Sequence, residues 1–319
     1  MSRTRVSYKN REAWLEGRKQ GIGASEVATV LGLNPWETPL QLWRRKKGID
    51  PPKAENFAMK AGHYLEDAVS RFYADATGVQ IIKSSKEDFM FVNDQKPFLR
   101  VSPDRTYWRP VVVHNEANKS ILECKTTQME VDYDNPPQHW FAQLQYQLGV
   151  AEMEQGALAW LTMGRDFGYR DFTFDKEFFD WMVEEVEKFW TDNIVGNVEP
   201  DPVNVEDVLL RNPRHQPGKL VEADPEIIEA CRQLKELKGE AKDIDQQVKE
   251  LEEKIKMSFG DAEALTAPSG TPAKPIILAT WKAAKDGQKF DEKEFAEKEP
   301  ALYQEYLRTV PGSRRFLLK

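Results

Sequence analysis

Five short runs crowd into residues 79–127: VQIIK, FMFV, FLRVSPD, VVVH and SILECKTT. Each is rich in β-branched or aromatic residues and bounded by turn-forming ones, the pattern of strands. The chain on either side reads as helix. Residues 9–32 give helix, glycine turn, helix. NPWETPLQLWRRKKG opens with a turn and continues as an amphipathic helix, and ENFAMKAGHYLEDAVSRFYADATG is one helix closed by Gly78. Beyond the strands, PPQHWFAQLQYQLGVAEM is a helix entered through Pro136 and Pro137, GALAWLTMG and RDFTFD form a strand pair, and KEFFDWMVEEVEKFWTDNIVG is strongly amphipathic. Strands set between helices in this order predict one α/β domain over residues 1–199, a mixed central sheet flanked by helices.

The segment 200–220 is proline-rich and reads as a linker to a second module at 221–319. In that module Ala230, Leu234, Leu237, Ala241, Ile244, Val248, Leu251 and Ile255 alternate spacings of four and three, an a/d coiled-coil seam. The seam can pair within the chain as a helical hairpin, trimerise the chain, or dock a partner. KPIILATWK reads as a strand, DEKEFAEKEPALYQEYL as a helix broken at Pro300, and RRFLLK as a closing strand. A helical and small β extension is therefore expected after the α/β domain.

Composition excludes several classes. The 319 residues contain no run of 18 apolar residues and the N-terminal stretch lacks an apolar signal core, so neither a membrane span nor a secretory signal is expected. Two cysteines, Cys124 and Cys231, are too few for a disulfide framework and fit a reducing cytoplasm. His63, His114, His139 and His215 are scattered, which argues against zinc. The net charge of −8 hides a basic front: residues 1–50 hold ten Lys/Arg against five Asp/Glu. The RRKK run at 44–47 reads as a solvated face or as a track for a DNA backbone. Trp36, Trp43, Trp181 and Trp190 sit at helical spacing and are expected in the core.

The chemistry concentrates at the strand SILECKTT. Side chains alternate along a strand, so Glu123 and Lys125 face one side with Ile121 while Leu122 and Cys124 face the other. An interior carboxylate and ammonium are costly unless paired or metal-bound. The plain reading is a salt bridge at a strand end. The sharper one joins Asp104 and Glu123 as Mg²⁺ ligands, with Lys125 steadying the attacking water. Support comes from Glu66 on the preceding long helix, from Gln143 and Tyr146 on the following helix, and from Trp14, Arg18 and Ser25 around a glycine turn, where an arginine and a hydroxyl suit a terminal phosphate.

Taken in order, R-x₆-S, G-x₃-E, S-P-D, E-x-K and Q-x-Q-Y resemble the YqaJ-type viral recombinase nucleases, relatives of the lambda-type phage alkaline exonucleases in the PD-(D/E)XK superfamily. The resemblance covers residues 10–195. It implies a restriction-endonuclease-like core and two Mg²⁺ (or Mn²⁺) ions, with Asp104, Glu123 and the Cys124 backbone carbonyl as ligands and Glu66 serving the second ion. It further implies Lys125 and Gln143 acting on the nucleophile, and Arg18, Ser25, Trp14, Ser102 and Tyr146 contacting the DNA end and its 5′-phosphate. The implied activity is 5′-to-3′ degradation of one strand of double-stranded DNA to mononucleotides, leaving 3′ overhangs for a phage-type single-strand annealing protein. A homotrimer and a phage or prophage origin in a bacterial cytoplasm follow from the same resemblance. An endonuclease of the same fold and a non-catalytic DNA-end-binding module remain the alternatives.

Overall fold

A computed structural model describes residues 2–51, 56–82, 89–110, 115, 118–162, 165–268, 276–310 and 312–319. They fall into two compact units, Met1–Arg211 and Asn212–Lys319. The expected run VVVH lies outside the described residues.

The first unit is the expected mixed α/β core. Its larger sheet has the order β3-β6-β7-β8-β9, built from Gln80–Ile82, Arg105–Trp108, Lys119–Thr127, Gln155–Thr162 and Asp166–Thr173. Only β7 and β8 run parallel, with Glu123 beside Leu158 and Lys125 beside Trp160; the other pairs are antiparallel. A smaller sheet has the order β1-β4-β5-β2, from Arg3–Ser7, Phe89–Asn93, Leu99–Val101 and Ile22–Gly23.

Two helices cover opposite faces of β7. Helix α4, Phe57–Thr77, is capped by the Asn56 side chain and ends at Gly78, whose left-handed φ of 72° is the conformation glycine supplies cheaply. Its Val69 and Tyr73 pack with Leu122 and Cys124. Helix α5, Gln138–Val150, brings Leu144 and Leu148 into the core that holds Ile121 and Leu158 on the other side. The alternation of β7 thus turns Glu123 and Lys125 toward α5.

Helices α1 (Arg11–Lys19), α2 (Ala24–Val30) and α3 (Pro39–Lys46) precede α4. The turn between α1 and α2 runs hard against β5: a Cβ on Gly21 would meet the Phe98 carbonyl oxygen at 2.3 Å, so only glycine fits. Helix α6, Lys176–Lys188, begins at an Asp175 cap and continues as a π-helical turn, Phe189–Val195. Within the proline-rich stretch read as a linker, Val205–Arg211 forms α7, and its buried Asp207 accepts a 2.8 Å hydrogen bond from Thr38.

The expected positions of several residues need correction. Trp36 and Trp181 are 68% and 44% exposed, not core. The basic run 44–47 is not a plain solvated face. Arg44 pairs with Asp50, Arg45 with Glu26 and Glu37, and Lys46 with Glu26, while Lys47 reaches the Ile194 carbonyl.

In the second unit the seam lies on α8, a helix of 33 residues (Pro225–Met257) with no buried residue, so it forms no intrachain helical hairpin among the described residues. A hairpin of β10 (Ala264–Ala267) and β11 (Ile276–Thr280) and the short helices α9 (Glu292–Lys298) and α10 (Pro300–Tyr306) follow. RRFLLK is not a strand; it has no ladder partner there. Among the described residues no helix is long and apolar enough to cross a membrane.

Candidate active site

Two clusters of buried charge stand in the first unit. One is built on β7. Asp104, just before β6, is buried and accepts a 3.0 Å hydrogen bond from the Cys124 backbone N–H, which fixes it beside the strand that carries Glu123. Glu123 is 2% exposed. Its Oε1 accepts from Lys125 Nζ at 2.7 Å and from Gln143 Nε2 at 2.5 Å, and its Oε2 accepts from Gln147 Nε2 at 2.8 Å. Lys125 Nζ also donates to Gln143 Oε1 at 2.7 Å. Gln143 and Gln147 stand one turn apart on α5, so one face of that helix presents both amides to one carboxylate.

These donors do not settle the charge. Burial and the neighbouring Asp104 carboxylate push the Glu123 carboxyl well above its ordinary range, against the pull of Lys125 and Gln147. The buried Gln147 Oε1 has no hydrogen-bond partner among the described residues. Two buried carboxylates and an unused amide oxygen are a surplus of acceptors, which a hydrated hard cation relieves. Mg²⁺ takes one or two carboxylates and keeps its remaining waters, so this donor set fits it. Glu66 is placed differently. It projects from α4 toward His63 Nδ1 at 3.2 Å and Arg105 Nη1 at 4.0 Å. No three His, Cys, Asp or Glu side chains form a metal-binding group among the described residues.

The second cluster surrounds the glycine turn. Arg18 Nη2 donates to Ser25 Oγ at 3.0 Å, and its guanidinium lies 4.9 Å from the Trp14 ring centre. Below them Glu26, 3% exposed, accepts from the Gly23 N–H and pairs with Lys46 at 2.7 Å and Arg45 at 3.0 Å. Burial opposes its charge, but Lys46, Arg18, Arg45 and the Gly23 N–H hold its carboxyl down at about 2. Lys46 is itself pushed down by burial, and the pairing with Glu26 works the other way. It also donates to the Arg18 and Gly21 carbonyls, tying α3 to the turn.

Three expected DNA contacts turn out to be internal. Tyr146 is fully buried and donates to the Ile22 carbonyl, because on α5 it points away from the glutamine face. Trp14 is 4% exposed, and its Nε1 donates to Ser102 Oγ at 3.0 Å. Ser102 in turn donates to the Phe89 carbonyl, so its hydroxyl is committed. Trp14 and Ser102 instead link the two clusters: Arg18 rests on Trp14, Trp14 bonds Ser102, and Ser102 stands two residues before Asp104.

Residues 13–154, which hold both clusters, match the family model described as the YqaJ-like viral recombinase domain. That region is similar to the YqaJ-like viral recombinase domain. A relative, the uncharacterized protein YqaJ of Bacillus subtilis (strain 168), is 30% identical over 201 residues, covering 61% of this chain; the chain spans 60% of that relative's length. Among solved structures, an alkaline exonuclease of Laribacter hongkongensis in complex with dAMP is similar at a TM-score of 0.45 and 15% identity, over 58% of this chain and 93% of that one. A phage related exonuclease of Haemophilus somnus 129PT is similar at 0.38 and 12%, over 56% and 96%.

The matched region also contains residues that the sequence did not mark as part of a site. Gln147 is one. His139, at the start of α5, is another: burial and the nearby Lys125 charge lower its pKa to about 4, so the imidazole is neutral. The exposed Trp36 packs edge-on against it, with ring centres 5.2 Å apart. Gln147 was visible in principle as the residue four places after Gln143 on one helix face. The sequence marked Trp36 only as a core residue.

Proposed function

We propose that the chain is a divalent-cation-dependent deoxyribonuclease that degrades double-stranded DNA from 5′-phosphorylated ends. The observation that carries this reading is the buried Asp104–Glu123 pair with Lys125 held between Glu123 and Gln143. Mg²⁺ or Mn²⁺ would be held by Asp104, Glu123 and the Cys124 backbone carbonyl, and would supply positive charge at the scissile phosphate. A second ion, served by Glu66, belongs to the same reading. Lys125 and Gln143 orient a water toward phosphorus. The water oxygen bonds phosphorus as the P–O3′ bond breaks, the water gives up a proton to solvent while O3′ takes one from solvent, and a 5′-mononucleotide with a 3′-hydroxyl is released. The shortened strand keeps a new 5′-phosphate.

Arg18 and Ser25 receive that phosphate, a guanidinium and a hydroxyl being matched to its oxygens. The support for their role is the Trp14–Ser102 link, which fixes the spacing between Arg18 and Asp104. Trp36 offers an exposed ring beside His139 on which an unpaired base can stack. Repeated 5′-to-3′ removal leaves a 3′ overhang, the substrate of a phage-type single-strand annealing protein.

The test uses linear duplex labelled at either end, bearing 5′-phosphate or 5′-hydroxyl, with Mg²⁺. Mononucleotides should appear from 5′-phosphorylated ends, should vanish in Lys125→Ala and Glu123→Ala, and should form more slowly from 5′-hydroxyl ends in proportion to what Arg18→Ala loses. Equal cutting of closed circles would replace this reading with an endonuclease. No hydrolysis of any DNA would replace it with an end-binding module.

A further inference from the structure

Helix α8 spans about 50 Å at 1.5 Å per residue. It leaves its apolar seam uncovered: Leu237 is 60%, Ile244 59%, Val248 49%, Leu251 61% and Ile255 46% exposed. With Leu234, Ala241, Val248 and Ile255 at a, and Leu237, Ile244 and Leu251 at d, the flanking e positions are Lys238, Asp245 and Glu252 and the g positions Glu240, Gln247 and Lys254. Gly239, a weak helix residue, falls at f, away from the seam.

The flanking charges choose between orientations. In a parallel pair g meets the following e of the other helix, which sets Glu240 against Asp245 and Gln247 against Glu252; no attractive pair results. In an antiparallel pair e meets e and g meets g. Placing Val248 opposite Ile244 then sets Lys238 against Glu252 and Glu240 against Lys254, each occurring twice by symmetry. The same register stacks Leu251 on Ala241 and Ile255 on Leu237, large on small and β-branched on γ-branched. Its one like-charge contact is Asp245 with its own copy. Sliding one heptad in one direction sets Asp245 against Glu252; sliding in the other sets Glu240 against Gln247 and keeps a single kind of opposite-charge pair, Lys238 against Asp245. The central register collects the most opposite charge.

We infer that residues Leu237–Ile255 of α8 form an antiparallel two-helix coiled coil with a second copy of this chain. The contact is self-complementary, as a two-fold interface must be. It rests on the seam and its charges alone, not on the nuclease reading.

Sedimentation equilibrium of the full chain tests it. Because no α8 residue is buried within the chain, Ile244→Lys leaves the fold intact and should lower the assembly mass. Lys238→Glu should weaken association at least tenfold. The double variant Lys238→Glu with Glu252→Lys should restore it, and Asp245→Asn should tighten it beyond the wild type. A mass unchanged by Ile244→Lys would overturn the proposal by showing that the seam does not join copies. Loss by Lys238→Glu without restoration in the double variant would overturn the antiparallel register.

Discussion

Glu26 and Glu123 are the same residue type, equally buried in the same unit, and their environments act in opposite directions. Around Glu26 stand Lys46, Arg45 and Arg18, and its carboxyl is held at about 2. Around Glu123 stand one lysine, two amides and another carboxylate, and its carboxyl is pushed up. The difference teaches where charge serves structure and where it serves chemistry. Glu26 is a completed ion cluster that locks α3 and the glycine turn behind Arg18. Glu123 is an incomplete one, and on the proposed reading the missing positive charge is what a cation would bring.

That contrast can be broken in several ways. The largest effect is expected on catalysis: Glu123→Gln or Lys125→Ala should lower DNA hydrolysis by about 10²–10⁴-fold, the range for losing one positioned proton-handling group, read as mononucleotide release. Glu26→Gln should act on the fold instead. It strands Lys46 without a counter-charge and should cost about 3–5 kcal/mol in chemical denaturation, as breaking buried pairs does. If Glu26→Gln were neutral for stability, the cluster would not be the lock described.

The pH response should separate the two glutamates. Glu26 has a folded pKa near 2 against 4.5 for the ordinary group. Its contribution is therefore present above about 4.5 and lost as pH falls toward 2. Glu123 is raised, so its ionised form opposes folding, and stability attributable to it falls as pH rises above its ordinary value. In melting curves between pH 5 and 8, Glu123→Gln should flatten that fall. A steeper fall would contradict the assigned direction.

A smaller effect is expected at Gln147. Gln147→Ala leaves Glu123 Oε2 without its donor and should lower activity or Mg²⁺ affinity about 10–100-fold, the range for groups that orient a metal ligand. The smallest change in stability is expected at Trp36, whose exposure keeps Trp36→Ala within about 0.5 kcal/mol. Its effect should appear as a higher KM for duplex ends with kcat preserved.

Much of this architecture was legible in the sequence because it depends on local periodicity. The two-residue alternation of SILECKTT placed Glu123 and Lys125 on one face, and Gly78 and the Asn56 cap bound α4 within the expected helix. What failed to show depends on partners distant in sequence. RTRVS reads as polar, yet β1 pairs with Phe89–Asn93. RRFLLK has strand composition and finds no strand to pair with among the described residues. RRKK looks like a solvated face until Glu26, Glu37 and Asp50 are brought to it. Tyr146 and Gln147 are adjacent in sequence, and one helical step of about 100° separates a core residue from one that grips Glu123.

Calorimetric titration of Mg²⁺ into the full chain near pH 6.5, repeated in buffers of different ionisation enthalpy, tests the central claim most directly. Wild type should bind Mg²⁺ and release protons as Glu123 ionises, and Glu123→Gln should lose both the binding and the proton release while keeping its fold. Mg²⁺ binding unchanged in Glu123→Gln, or none in the wild type, would contradict the claim that this buried carboxylate pair is built for a cation.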